Sequence, residues 1–141
     1  RTDHLAHHPG QVSFPGGHVD PGDESPEATA LRETEEEVGL HRRHIDVLGR
    51  LDQYRVRTGF SVTPVVGLVT PPFDIKPDDF EVAEVFEVPL TFLMHPGNHE
   101  RHSRDYRGKT RYFYAMPYNG YYIWGATAGI LVNLYQVLTE P

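Results

Sequence analysis

Gly16-Gly17-His18-Val19-Asp20-Pro21-Gly22-Asp23-Glu24-Ser25-Pro26-Glu27-Ala28-Thr29-Ala30-Leu31-Arg32-Glu33-Thr34-Glu35-Glu36-Glu37-Val38-Gly39-Leu40 is the stretch from which the rest of the chain is read. A glycine-rich turn runs into a segment with clear helix punctuation. Ser25 suits the N-cap, Pro26 the first helical position and Gly39 the C-terminal cap, so the spacing predicts a helix over Pro26–Val38. At about 100° per residue, Glu36 lies about 60° to one side of Glu33 and Glu37 about 40° to the other, so the three carboxylates share a face.

Like charges at these spacings cost a few tenths of a kcal/mol per pair in water and more when partly buried. A bound cation removes that cost. Hard divalent ions take oxygen ligands, and Mg²⁺ commonly combines carboxylates with substrate phosphate oxygens. The competing reading is an acidic solvated face holding Glu33, Glu35, Glu36 and Glu37, with Arg32 reaching Glu36 one turn on.

The whole stretch resembles the Nudix hydrolase signature, a glycine, then a glutamate, then Arg-Glu-x-x-Glu-Glu-x-Gly. It reads here Gly17, Glu24, Arg32-Glu33, Glu36-Glu37, Gly39-Leu40. The spacing from Gly17 to Glu24 is one residue longer than usual, and Thr34 stands where an aliphatic residue is normal. Asp23 has the usual spacing but is an aspartate, so either Asp23 or Glu24 takes the glutamate's role.

The resemblance implies an α/β chain folded as the family's α/β/α sandwich, with a mixed β-sheet and the box helix turning its carboxylates to a cleft. It implies Mg²⁺ or Mn²⁺ held by Glu33, Glu36 and Glu37, with the Gly17 carbonyl as an extra ligand. Arg32 would orient and charge-balance the glutamates. The family commonly adds a carboxylate from outside the box; Glu81 is the candidate and Glu84 the fallback. The general base is then either a box glutamate or Glu81.

Upstream, Arg1-Thr2-Asp3-His4-Leu5-Ala6-His7-His8-Pro9-Gly10-Gln11-Val12-Ser13-Phe14-Pro15-Gly16-Gly17 is similar to the element preceding the box in the coenzyme A pyrophosphatase branch. Ile123-Trp124-Gly125-Ala126-Thr127-Ala128 also resembles a segment of that branch. This implies cleavage of coenzyme A or acyl-coenzyme A to 3′,5′-ADP and a 4′-phosphopantetheine product, with Arg1, Gln11 and Ser13 as substrate contacts; Arg104, from a basic loop further along the chain, is a further candidate. The alternatives are a Nudix hydrolase of ADP-ribose or another nucleoside diphosphate derivative, and a Nudix-fold module that senses a nucleotide without turnover. Read without the family, residues 1–17 are a loop leading into a short strand, Gln11–Phe14.

The 141 residues suit one domain, and a chain 38% hydrophobic and 23% charged belongs to the ordinary globular class. The expectation is a single domain over 1–141, with residues upstream of Arg1 because the chain opens without methionine in a turn-rich segment. A formal charge of −7 argues against sequence-independent nucleic-acid binding. The absence of cysteine excludes disulfides, thiolate metal sites and a cysteine nucleophile, and fits a reducing, cytoplasmic setting. No apolar run is long enough to span a bilayer, so a small-molecule partner is expected and a membrane is not. His4, His7, His41 and His44 read as surface or loop histidines.

Beyond the box, Ile45–Tyr54 and Phe60–Val69 read as an antiparallel pair joined by an Arg-Thr-Gly turn. Residues 71–79 form a proline-rich loop, and Glu81–Val88 alternates acidic with apolar residues. Pro89–Met94 is one helical turn, and His95–Lys109 is a long polar loop with a net charge of +2 from Arg101, Arg104, Arg107 and Lys109 against Glu100 and Asp105. It is either solvated surface or a basic flap over an anionic substrate. Thr110–Tyr118 is an aromatic strand, Asn119-Gly120 a hairpin turn, and Tyr121–Trp124 the return. From Ala126 a helix follows, with Leu131, Leu134, Tyr135 and Leu138 on one face.

Overall fold

The structure, a computed structural model, describes residues 1–2 and 10–140. Helices and strands are both present, as an α/β fold requires, in the order one helix, four strands, a helical turn, two strands and a closing helix, and the chain divides into two compact units, Arg1–Phe86 and Glu87–Pro141.

In the first unit, helix α1 covers Pro26–Val38, with the predicted boundaries. Ser25 is extended, and its hydroxyl accepts from the Ala28 N–H (3.1 Å), satisfying a donor the helix itself leaves open. Gly39 ends the helix at φ +71°, and its N–H donates to the Glu35 carbonyl. The last carbonyls are taken up by a crossing strap: Lys76 N–H donates to Val38 (2.7 Å) and Asp78 N–H to Glu37 (2.8 Å). A β-carbon on Gly39 would stand 2.7 Å from the Lys76 carbonyl oxygen, so both the backbone conformation and the close approach require glycine.

Strand β1 (Ile45–Arg50) pairs antiparallel with β4 (Val65–Val69), and β2 (Tyr54–Arg55) with β3 (Ser61–Val62). The expected pair of runs is therefore present, with its turn at residues 56–60, but split into two ladders. Pro64 lies at the break; it has no N–H to give, and only its carbonyl bridges, to Leu51 N–H (3.0 Å). The strand expected at Gln11–Phe14 belongs to no ladder among the described residues, and Phe14 is 47% exposed. Two apolar residues between Gly10 and Pro15 bury too little surface to hold such a short segment in a sheet.

The second unit begins with α2 (Leu90–Leu93), the expected single turn, and a 3-10 turn at Pro96–Asn98. The loop expected over His95–Lys109 is instead mostly strand: β5 (Glu100–Tyr106) pairs with β6 (Lys109–Ala115) along seven residues. Arg107 (φ +50°) and Gly108 (φ +77°) form a two-residue turn of the mirror-image kind that suits hairpin twist. All seven β5 residues are exposed, so the strand carries no alternating apolar face by which to recognise it.

Asn119 (φ +47°) and Gly120 (φ +83°) make the expected turn, flanked by reciprocal bonds between Tyr118 and Tyr121. The return is reduced to bridges at Tyr118–Tyr121 and Ala115–Trp124, because Pro117 interrupts the donors. Helix α3 (Gly125–Thr139) packs on β6, and its buried residues are Ala128, Gly129, Ile130, Leu131 and Val132. The predicted face is thus only partly right: Leu138 is 60% exposed, and the consecutive residues from Ala128 to Val132 are all buried. Ala115, Met116 and Ile123 complete this core.

Candidate active site

Thirteen residues of uninterrupted helix put Arg32, Glu33, Glu36 and Glu37 at fixed angles, and Arg32 is the hub of their side chains. Its Nε and Nη2 donate to the two oxygens of Asp23 (3.1 and 3.0 Å), a two-point clasp of planar guanidinium on carboxylate. Nη1 donates to Glu33 Oε1 (3.1 Å) and Glu36 Oε1 (3.2 Å), and Nη2 also to the His18 carbonyl (3.1 Å). Asp23 is held in turn by the Thr29 hydroxyl (2.9 Å) and the Asp20 N–H (2.8 Å). The Arg32 fork holds the Asp23 carboxyl well below the usual carboxylate range. Of the two acids competing for this place it is Asp23 that clasps Arg32, while Glu24 is exposed.

Glu33 and Glu37 are the unfavourably placed charges. Glu33 is pushed up by burial, against the lowering pull of Arg32, with Glu36 and Glu81 adding repulsion. Glu37 is pushed up to about 7, first by burial and then by the charges of Glu33 and Glu81, although the Gly16 N–H donates to its Oε2 (3.2 Å). Gly17 passes so close to Glu33 that a β-carbon there would stand 2.5 Å from Oε1.

The strap across the end of α1 brings Glu81 to this pair. Thr2 fixes the other side of that segment: its hydroxyl donates to the Phe80 carbonyl (2.6 Å) and its N–H to the Glu81 carbonyl (3.2 Å). Glu81 bears electrostatically on both Glu33 and Glu37, whereas the fallback, Glu84, is exposed.

The donor set is all oxygen and crowded with like charge, which fits a hard divalent ion. Among the described residues no three acidic or histidine groups already converge tightly enough to hold one. Glu36 is the outermost of the box acids, its side chain 57% exposed and turned to Arg32. Glu35, in the middle of the acidic run, points elsewhere. Arg42 binds it through Nε (2.8 Å), Nη2 (3.2 Å) and the backbone N–H (3.0 Å), which lowers its carboxyl to about 2.

Arg1 lies near Glu37, whose pKa its charge lowers, and its backbone nitrogen donates to the Gln11 carbonyl (2.8 Å). Arg1 Nε is buried without a hydrogen-bond partner among the described residues. Gln11 is half-buried and Ser13 exposed. His4 and His7 lie outside the described residues. Arg104 belongs to the second unit, on β5, with its guanidinium 5.8 Å from the ring centres of both Phe113 and Trp124. The sequence does not announce the parts played by Gly16, the His18 carbonyl and Thr2: the first two act through their own backbone, and Thr2 through bonds to backbone carbonyls far along the chain.

No helix among the described residues is long and apolar enough to cross a membrane. The NUDIX domain family matches residues 1–107. Over 142 aligned residues the chain is 42% identical to the uncharacterized Nudix hydrolase NudL of Escherichia coli strain K12, and equally to those of Escherichia coli O1:K1 and Shigella boydii serotype 18. Each alignment takes in all of this chain and 74% of the relative. Hydrolases of this family cleave diphosphate linkages in small molecules and generally use divalent ions such as Mg²⁺. With the signature, the α1 carboxylates and these relatives in agreement, the chain belongs to the Nudix hydrolases.

Proposed function

We propose that this Nudix hydrolase cleaves the diphosphate of coenzyme A or acyl-coenzyme A, in the cytoplasm, releasing 3′,5′-ADP and (acyl-)4′-phosphopantetheine. The observation that carries the reading is the attachment of the upstream element to the acidic cluster. Thr2 is bonded to the segment bearing Glu81, and the charge of Arg1 reaches Glu37. A segment so attached is suited to read the parts of a substrate that flank the reacting diphosphate.

Glu33, Glu36 and Glu37, with the Gly17 carbonyl, would hold Mg²⁺ or Mn²⁺, which when bound neutralises phosphate oxygens and acidifies water. The chain's own groups do the rest. Arg32, anchored by Asp23, keeps Glu33 and Glu36 oriented. A carboxylate, either Glu81 or a box glutamate, takes the proton of the attacking water as one phosphorus–oxygen bond forms and the bridging one breaks.

Arg1, Gln11, Ser13 and Arg104 are assigned to substrate. ADP-ribose is the alternative substrate, since the box itself reads only the diphosphate. A sensor without turnover is disfavoured by the retention of all three box carboxylates. Product analysis on coenzyme A, dephospho-coenzyme A, ADP-ribose and dinucleotide diphosphates, with Mg²⁺, with Mn²⁺ and with chelator, tests the proposal. The expected result is 3′,5′-ADP from coenzyme A only when metal is present. Preference for ADP-ribose would discard the substrate assignment, and absence of any metal-dependent cleavage would discard the enzyme.

A further inference from the structure

Strand β5 pairs with β6 on one edge and with no other strand among the described residues, and every residue from Glu100 to Tyr106 is exposed. The two-residue turn makes Tyr106 and Lys109 the first bonded pair, so Glu100, His102, Arg104 and Tyr106 direct their backbone groups to β6. Arg101, Ser103 and Asp105 direct theirs to the open edge. Natural edges are commonly blunted with charge, and this one is heavily charged. Its charges, however, are arranged symmetrically about Ser103.

We propose that the open edge of β5 is a self-association surface, on which the same strand of a second copy pairs antiparallel about a two-fold axis at Ser103. In that register Arg101 faces Asp105 of the second copy, and Asp105 faces Arg101. Ser103 faces itself, and all three positions are those whose N–H and C=O groups point outward. A centre at His102 also matches backbone donors and would pair Glu100 with Arg104, whereas the Ser103 centre is the one that sets both opposite-charge pairs at the outward-directed positions.

On the other face of the strand, Arg104 is opposite Arg111 across the hairpin and in the proposed register faces His102 of the second copy, with Glu100 and Arg104 of that copy on its two diagonals. Arg101, His102, Ser103 and Tyr112 line a shallow depression of about 440 Å³ beside the axis, leaving space for the second strand's side chains. One added strand pair buries less than the ~1,200 Å² typical of stable complexes, so the association belongs to the weak, concentration-dependent class.

Sedimentation of the full chain over a range of concentrations, with R101E and D105R, tests the proposal. Wild type is expected to be a reversible dimer at high concentration. Each variant alone places like charges opposite one another and should weaken association at least about tenfold. An equimolar mixture of R101E with D105R restores two opposite-charge pairs and should dimerise as well as wild type. Circular dichroism of each variant verifies folding, and the wild-type measurement stands by itself. A wild type that stays monomeric at the highest concentration, single variants that dimerise undiminished, or a mixture that remains monomeric would each overturn the proposal.

Discussion

The α-carbon of Gly17 rests on the Glu33 carboxylate, so closely that a β-carbon would stand 2.5 Å from Oε1 and 2.6 Å from Cδ. The obstructed atoms are the tip of a side chain and can yield. At Gly39 the obstruction is backbone, Lys76 O and N at 2.7 and 2.9 Å, and φ is +71°. Two glycines of one motif should therefore fail differently. Gly17→Ala should displace Glu33 and lower turnover roughly a hundredfold while changing stability by under about 0.5 kcal/mol. Gly39→Ala should cost about 2 kcal/mol or more. Urea midpoints beside turnover for the two variants decide it; similar behaviour in both would refute the distinction.

Glu37 is half-buried beside Glu33 and Glu81, with its carboxyl raised to about 7. A carboxyl raised above its unfolded value binds a proton more tightly in the folded state between those two values. Stability in chelator should therefore rise as pH falls from about 7 to about 4.5. Glu37→Gln should remove that slope and raise Tm at pH 7 by about 4 °C, on the order of 1 kcal/mol, while turnover falls at least about a hundredfold. Glu36→Gln should lose similar turnover with little change in Tm, because Glu36 is already exposed. A destabilised Glu37→Gln, or full turnover in chelator, would contradict this account.

Helix α1 was legible to the residue because its signals are local: Ser25, Pro26 and Gly39 act within one turn of themselves. The crowding of Glu33 and Glu37 was legible as repulsion, but its depth depends on burial, which spacing cannot reveal. Hairpin β5–β6 was illegible for two physical reasons. Its turn places Arg107, not an asparagine or aspartate, at positive φ, and β5 buries no face that would impose a period of two. The tie from Thr2 to Phe80 and Glu81 spans nearly 80 residues through backbone carbonyls, which carry no residue code.

The Glu35–Arg42 pair predicts the acid limb of stability. Hydrogen bonds from Arg42 lower the Glu35 carboxyl to about 2, below its unfolded value, so this contribution is present above about pH 4.3 and lost as pH falls through about 2. Arg42→Met should flatten the decline in urea midpoint between pH 5 and pH 2. The effect should be small, because half of the Arg42 side chain is exposed. A variant whose acid decline parallels wild type would show that the pair contributes nothing.

Arg104 and Arg111 project from one face of the hairpin and Arg101 from the other, so the basic residues of this segment are not interchangeable. Coenzyme A carries a 3′-phosphate absent from dephospho-coenzyme A. If Arg104 binds that group, Arg104→Ala should raise KM for coenzyme A about tenfold and leave dephospho-coenzyme A nearly unchanged. Equal losses on the two substrates would remove Arg104 from the site.

Substrate choice rests most heavily on residues 1–17. Gln11 is tied to Arg1 through its carbonyl, so its side chain can be shortened without breaking that bond. Were the segment only structural, Gln11→Ala would cost under about 0.5 kcal/mol and leave the ranking of substrates untouched. If it contacts the part of coenzyme A outside the diphosphate, kcat/KM for coenzyme A should fall about tenfold more than for a dinucleotide diphosphate, since the lost contact lies away from the reacting bond. Arg1→Ala should follow the same ranking and add a second effect. Its charge lowers the Glu37 pKa, so its loss should push that carboxyl further up and displace the metal-free stability profile toward higher pH. Substrate ranking and that profile are separate readouts, one for substrate contact and one for proximity to Glu37. An unchanged ranking in both variants would withdraw the coenzyme A assignment and leave the metal-dependent diphosphate hydrolase in place.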